Sequence, residues 1–132
     1  MPHQTIEYTV NLEPRLDIDA LVRVLHETAA GIDVLPVGGL RTRAIGMRHY
    51  RVADGHADNA FVNVYLRIAP GRSFEERKAA GETLFRALCD HLEPIFSTSP
   101  LAISYEIQEL DADLRWKQNN LREHMANRAK DE

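Results

Sequence analysis

The chain has 132 residues, 44% of them hydrophobic and 27% charged, with a formal net charge of -4. That size and composition predict one soluble globular domain with a real core. The negative charge speaks against a general affinity for nucleic acid or an anionic membrane surface, the lone Cys89 cannot form an internal disulfide, and no apolar run approaches the roughly 20 residues that cross a bilayer.

Pro2 opens the chain just ahead of a strand pattern, in which Ile6, Tyr8 and Val10 alternate with Glu7 and Thr9 from Gln4 onward. No charged-then-apolar leader precedes it, so a cytoplasmic location is expected. Helical spacing follows in Ile18, Leu21, Val22, Leu25 and Ala29, with Asp17 as N-cap and Gly31 as stop. GIDVLPVGG reads as a loop, and 40–52 as a second, arginine-rich strand. Asp54-Gly55 marks a turn before the third strand, AFVNVYLRI, so the second and third strands are expected to form a hairpin. Ser73 and Glu76 have the spacing of a capping box. They stand ahead of a helix with the stripe Leu84, Phe85, Leu88, Leu92, Ile95 and Phe96, which Pro94 kinks or ends. LAISYEIQEL is the fourth strand, with Leu101, Ile103, Tyr105 and Ile107 on one face.

The order is βαβ followed by βαβ. Right-handed crossovers place both helices on one face of a four-stranded mixed sheet, an α+β fold built from duplicated units. Residues 1–132 are read as one domain, with 110–132 as a C-terminal extension around Leu114, Trp116, Leu121 and Met125. An arm that small cannot bury Trp116 by itself, so it is expected to dock on this sheet or on a neighbouring subunit.

The chain has no glycine-rich phosphate loop, HExxH, CxxC or GxSxG, and its six histidines fall in no recognisable metal-ligand spacing, so a metal site is not expected. Cys89, on or beside the apolar stripe, reads as a buried, inert thiol. Arg41 and Arg43 project from the same face of a strand, while Arg48 and Arg51 read as solvated surface. Arg72 sits just before an N-cap, where a cation is locally unfavourable but where free N–H groups and a guanidinium fork can converge on a carboxylate. Pro2 has two readings. Proline is tolerated as a first strand residue; alternatively, trimming of Met1 exposes a secondary amine. Enclosed beside arginines, such an amine would be largely neutral and suited to moving a proton between oxygen and carbon.

These residues resemble the 5-carboxymethyl-2-hydroxymuconate isomerases of the tautomerase superfamily. The likeness runs through MPH, LPVGGLRTR, VADGHADNAFV, IAPGRSFEERKAAGE, ISYEIQEL and WKQNN. It implies a tautomerase-like homotrimer without metal or cofactor, acting in homoprotocatechuate breakdown on a small polycarboxylate. Pro2 takes the place of the catalytic proline, Arg41 and Arg72 those of the substrate-binding arginines, and Arg43 that of a supporting residue. The reaction implied is a 1,3-allylic proton shift, enol to keto, with Met1 removed. The alternatives are a tautomerase for a smaller enol acid such as phenylpyruvate or 2-hydroxymuconate, and a non-catalytic anion-binding member of the fold. A nucleic-acid partner is disfavoured by the acidic charge and the lack of interleaved aromatic and basic residues.

Overall fold

The computed structural model describes residues 1–130. Its chain order is β1 (His3–Thr9), α1 (Ile18–Ala30), β2 (Arg41–Met47), β3 (Ala60–Ile68), α2 (Phe74–Phe96), β4 (Leu101–Glu109) and α3 (Leu121–Lys130). The four strands form one mixed sheet in the order β2-β1-β3-β4, with β1 parallel to β2, β3 parallel to β4, and β1 antiparallel to β3. Each βαβ unit is therefore a parallel pair with its helix as the crossover, and the two units join along β1 and β3. The expected hairpin does not form, because β1 lies between β2 and β3. β2 pairs only with β1, from His3 opposite Arg41 to Thr9 opposite Met47. Beyond Thr9 the first strand turns into a 3-10 helix at Val10–Leu12, so β2 has no ladder partner past Met47 and ends five residues short of the expected Val52. The 48–59 connection crosses the end of β1, where Asn11 Nδ2 donates to the carbonyls of Ala57 and Asn59.

The local signals act as their chemistry dictates. Asp17 accepts from Ala20 N at 3.0 Å and Gly31 closes α1. Ser73 and Glu76 make the full reciprocal capping box of α2. Pro94 lies inside α2, which ends two residues later at Phe96.

The helix-facing side of the sheet presents Ile6, Tyr8, Val62, Val64, Leu66 and Ile68, all buried against Leu21, Leu25, Leu84, Leu88 and Leu92 of the helices. Phe85 and Phe96 are 41% and 52% exposed, so the buried stripe of α2 is narrower than its apolar residues suggest. Cys89 is half-buried between them, and burial followed by the charges of Asp90 and Glu93 raises its thiol pKa.

One polar chain crosses this core. Gln4, fully buried, donates to the carbonyl of Leu25 and to Thr42 Oγ1, both at 3.2 Å, and accepts from the Tyr105 hydroxyl at 2.9 Å. Thr42 Oγ1 in turn meets His26 Nδ1 at 2.8 Å. A buried amide with its partners in place links the start of β1 to α1, β2 and β4, and so fixes the register of the strand that carries Pro2. The opposite face of the sheet, formed by His3, Thr5, Arg41, Arg43, Tyr65 and Arg67 among others, carries no helix.

Candidate active site

The site is built around the N-terminus. Pro2 is buried immediately before β1, and its carbonyl accepts from Arg41 N at 3.0 Å, the first rung between β1 and β2. Parallel pairing therefore brings the second residue of the chain beside the forty-first. Glycine makes room for the end of the chain: a Cβ on Gly39 would stand 3.2 Å from Met1 Cγ and 3.4 Å from Met1 Cα. Met1 packs between Arg41 Nη1, 3.7 Å from its sulfur, and Asn119 Nδ2, 4.0 Å from it.

Arg72 arrives from the turn between β3 and α2. Gly71 adopts φ +122°, a conformation that L side chains rarely take, and so aims the following residue back across the loop. Arg72 Nε donates to the Val34 carbonyl at 2.6 Å and Nη1 to that of Ala69 at 3.0 Å, which holds the guanidinium in place while these bonds leave Nη2 unused. The capped N-terminus of α2 lies next to it.

Two further cations come from the C-terminal arm. Burial lowers the pKa of the terminal amine on Met1 from 8.0 to about 6, followed by the charges of Arg115, Lys117, Arg72 and Arg41 in descending order. Arg41 and Arg72, expected from the sequence to share a site, both act on the chain terminus. Arg43 does not figure among the charges on that amine. It is exposed and meets His3 Nδ1 at 3.2 Å, while Arg41 Nη1 meets His3 Nε2 at 3.3 Å. A neutral imidazole accepts at only one of its nitrogens, so two guanidinium donors face one acceptor. Burial, then Arg41, Arg43, the terminal amine and Arg67, all lower the His3 pKa.

Arg115 and Lys117 escaped the sequence reading. They flank Trp116 in an extended stretch, where alternation sets them on one side and the tryptophan on the other, and that pattern was the available signal. Trp116 itself is 85% exposed, so the arm does not bury it on this sheet. Arg48 and Arg51 lie outside the site, exposed in the 48–59 connection.

The ion pairs among the described residues are Arg77–Glu109, Lys78–Glu82 and His56–Asp58. None of them includes Arg41, Arg43, Arg72, Arg115, Lys117 or Arg122. In a chain with a net charge of -4, four of these cations, Arg41, Arg72, Arg115 and Lys117, act on one terminus, with no ion-pair partner among the described residues. Such a site has donors in excess and is suited to an anion with several carboxylates. Among the described residues no three His, Cys, Asp or Glu side chains come together as metal ligands, and no helix is long and apolar enough to cross a membrane.

Comparison with known proteins gives concordant results. The sequence profile of the 5-carboxymethyl-2-hydroxymuconate isomerase family matches residues 2–125. The 5-carboxymethyl-2-hydroxymuconate Delta-isomerase of Escherichia coli is 36% identical over 121 residues, which cover 92% of this chain and 96% of that protein. The crystal structure of a 5-carboxymethyl-2-hydroxymuconate isomerase from Deinococcus radiodurans is similar with a TM-score of 0.86 at 41% identity, covering 94% of this chain and 93% of that one. A crystal structure of a 5-carboxymethyl-2-hydroxymuconate delta-isomerase has a TM-score of 0.87 at 29% identity, covering 95% of this chain and 93% of that one.

Proposed function

This chain belongs to the 5-carboxymethyl-2-hydroxymuconate isomerase family, and from that premise we propose that it catalyses the enol-to-keto isomerisation of 5-carboxymethyl-2-hydroxymuconate with Pro2 as the base. Removal of Met1 frees the Pro2 nitrogen as a secondary amine and vacates the space between Arg41, Gly39 and Asn119. The amine takes the proton from the 2-hydroxyl of the dienol, C2 becomes a ketone as the double bonds at C2–C3 and C4–C5 give way to one at C3–C4, and the same nitrogen delivers the proton to C5. Atoms and charge balance without a cofactor. Arg41 and Arg72 hold carboxylate or enolate oxygens at opposite ends of the substrate, and Arg43 supports Arg41 through His3.

The observation that carries this reading is the gathering of unpaired cations at a buried N-terminus. Burial and those charges lower the pKa of the Met1 amine, and the amine that Met1 removal frees on the buried Pro2, one residue further in, is expected to feel the same cations. An amine whose pKa is lowered is neutral, and therefore a base, over a wider part of the physiological range. Turnover is accordingly expected to rise with pH to a plateau reached well below the pH at which an ordinary N-terminal amine titrates.

The protein works as a homotrimer in the cytoplasm, in the breakdown of homoprotocatechuate. Supporting assembly are the helix-free face of the sheet, the outer edges of β2 and β4, the exposed Trp116, and the buried Thr5 hydroxyl on that face, which has no hydrogen-bond partner. Light scattering is expected to give three chain masses.

The test of the chemistry is an ultraviolet assay of dienol loss against spontaneous ketonisation, in protein confirmed by intact mass to begin at Pro2. Enzymatic turnover is expected, and Pro2→Ala is expected to lower kcat by up to the ~10²–10⁴ typical of a general acid–base group. Unchanged turnover in Pro2→Ala would remove Pro2 from the mechanism.

A further inference from the structure

The C-terminal arm and the N-terminus together line an open cavity of about 720 Å³, whose walls include Met1, Gly38, Gly39, Lys117, Asn119 and Arg122. This volume is within the range of small-ligand pockets. The arm is pinned at its centre. Asn119 Nδ2 donates to the Gly38 carbonyl at 3.1 Å, and Asn119 Oδ1 accepts from Leu121 N at 2.8 Å, at the start of α3. Arg122 lies against Gly38, where a Cβ would come within 3.3 Å of its Nε and 3.4 Å of its Cβ, so the absence of a side chain at position 38 is what lets this arginine sit on the cavity wall. Lys117 and Arg122 thus flank one anchored asparagine. Neither belongs to an ion pair among the described residues, although the carboxylate of Glu123 also lines the cavity.

We propose that Lys117 and Arg122 form a carboxylate subsite that selects a ligand with three carboxylates over one with two. The inference rests on the proposed function in one respect, the assignment of Arg41 and Arg72 to the two ends of the substrate. With those arginines engaged, a third carboxylate needs further donors, and the cavity beside the terminus has both an ammonium and a guanidinium in its lining. Glu123 repels anions there, so the subsite rewards a carboxylate reaching both cations and discourages general anion capture. Selectivity then resides in the arm, outside the βαβ units.

The test compares Lys117→Gln, Arg122→Gln and the double variant, all as full chains beginning at Pro2. The substrates are 5-carboxymethyl-2-hydroxymuconate, with three carboxylates, and 2-hydroxymuconate, with two. The double variant is expected to lose roughly tenfold to a hundredfold in kcat/KM on the first, mostly through KM, as for lost charge-assisted bonds, and less than about threefold on the second. Equal losses on both substrates, or none on the first, would overturn the subsite. A readout independent of turnover is calorimetric titration with propane-1,2,3-tricarboxylate and with glutarate. Wild type is expected to bind the triacid more tightly, and the double variant to weaken only that binding, by about tenfold or more. Wild-type protein that does not bind the triacid, or a double variant that binds it as wild type does, overturns the subsite whatever the enzyme turns over. Loss of turnover on both substrates in wild type, with selective triacid binding intact, defeats the proposed reaction and leaves the subsite standing.

Discussion

The two βαβ units share a topology and divide the work between them. In the second, both strands have nine residues and the helix has 23; in the first, the strands have seven each and the helix 13. β3 buries Ala60, Val62, Val64, Leu66 and Ile68, and α2 adds Ala80, Leu84, Leu88, Leu92 and Ile95. The outer strands β2 and β4 bury nothing completely, and among the described residues the buried polar side chains, Gln4, Thr5 and Thr9, all belong to β1. The second unit thus relies on apolar burial, whereas the first adds hydrogen bonds and charge to its own apolar core of Ile6, Leu21, Leu25 and Ala29. A strand that must carry Pro2 next to Arg41 cannot be made wholly apolar, and its neighbour supplies the burial it lacks.

The largest effect should come from damaging the apolar half. Leu88 is fully buried on α2, within the cluster that contains Ile6, Leu25, Val62 and Val64. Leu88→Ala is expected to cost about 2–5 kcal/mol, transfer and cavity terms together, read by urea denaturation. Activity per folded molecule should change little, because Leu88 belongs to the core cluster and does not line the cavity at the N-terminus. A cost below about 1 kcal/mol would mean that the second unit is not the main source of stability.

Damage at the junction of the two halves should act on catalysis instead. Arg72→Ala removes the guanidinium proposed to serve the site of the first unit from the turn between β3 and α2 of the second, and is expected to cost about 1.5–3 kcal/mol of transition-state binding, measured as kcat/KM. Its bonds to Val34 and Ala69 also hold a loop, so circular dichroism must accompany the kinetics. Wild-type kinetics in folded protein would leave Arg72 with a purely structural role.

Much of this division was legible in the sequence, and where it was not, distance along the chain is the reason. The Asp17 cap, the Ser73/Glu76 box and the bounds of β3 depend on neighbours within a few residues, and each formed as its spacing implied. The pairing of β2 was misread because a turn signal between adjacent strands favours a hairpin locally, whereas the crossover from β1 decides the partner globally. Phe85 and Phe96 are apolar yet exposed, and periodicity does not report how wide a face the sheet can cover. For the candidate site, Pro2 and Arg72 could be read from special backbone positions, whereas Arg41 shared its strand face with Arg43 and was singled out by the family resemblance. Arg115 and Lys117 could not be assigned to it, since nothing local brings residues 115–117 back to the N-terminus.

The hydrogen-bonded half can be tested through Gln4 and Tyr105. Gln4→Leu leaves the Leu25 carbonyl and the Tyr105 hydroxyl without that partner in a buried setting, for about 1–3 kcal/mol. Tyr105→Phe removes the hydroxyl, whose pKa burial raises well above that of an ordinary phenol. The two losses are expected to be less than additive by roughly 0.5–1.5 kcal/mol in a double-mutant cycle, since the second change relieves a group orphaned by the first. Strict additivity would show that Gln4 and Tyr105 are not energetically coupled.

The smallest expected effect is at the seam between the halves. Ser73→Ala deletes the acceptor of Glu76 N, a 3.0 Å bond, while the return bond from Ser73 N to Glu76 Oε1 at 2.8 Å survives. Half a capping box is lost, for about 1 kcal/mol by denaturation. Fraying at that end should exceed what the global figure suggests, because the rest of the 23-residue helix packs in the core while its first turn is held by the cap, the Arg77–Glu109 pair and the bonds around Arg72. Amide exchange at Glu76 and Arg77 should therefore accelerate while that at Leu88 and Leu92 follows global stability alone. KM should rise modestly, and less than in Arg72→Ala, because the guanidinium remains and only its seat loosens. Uniform acceleration along α2 would mean that the cap stabilises the helix as a whole and that the seat of Arg72 is set by Gly71 and the Val34 carbonyl.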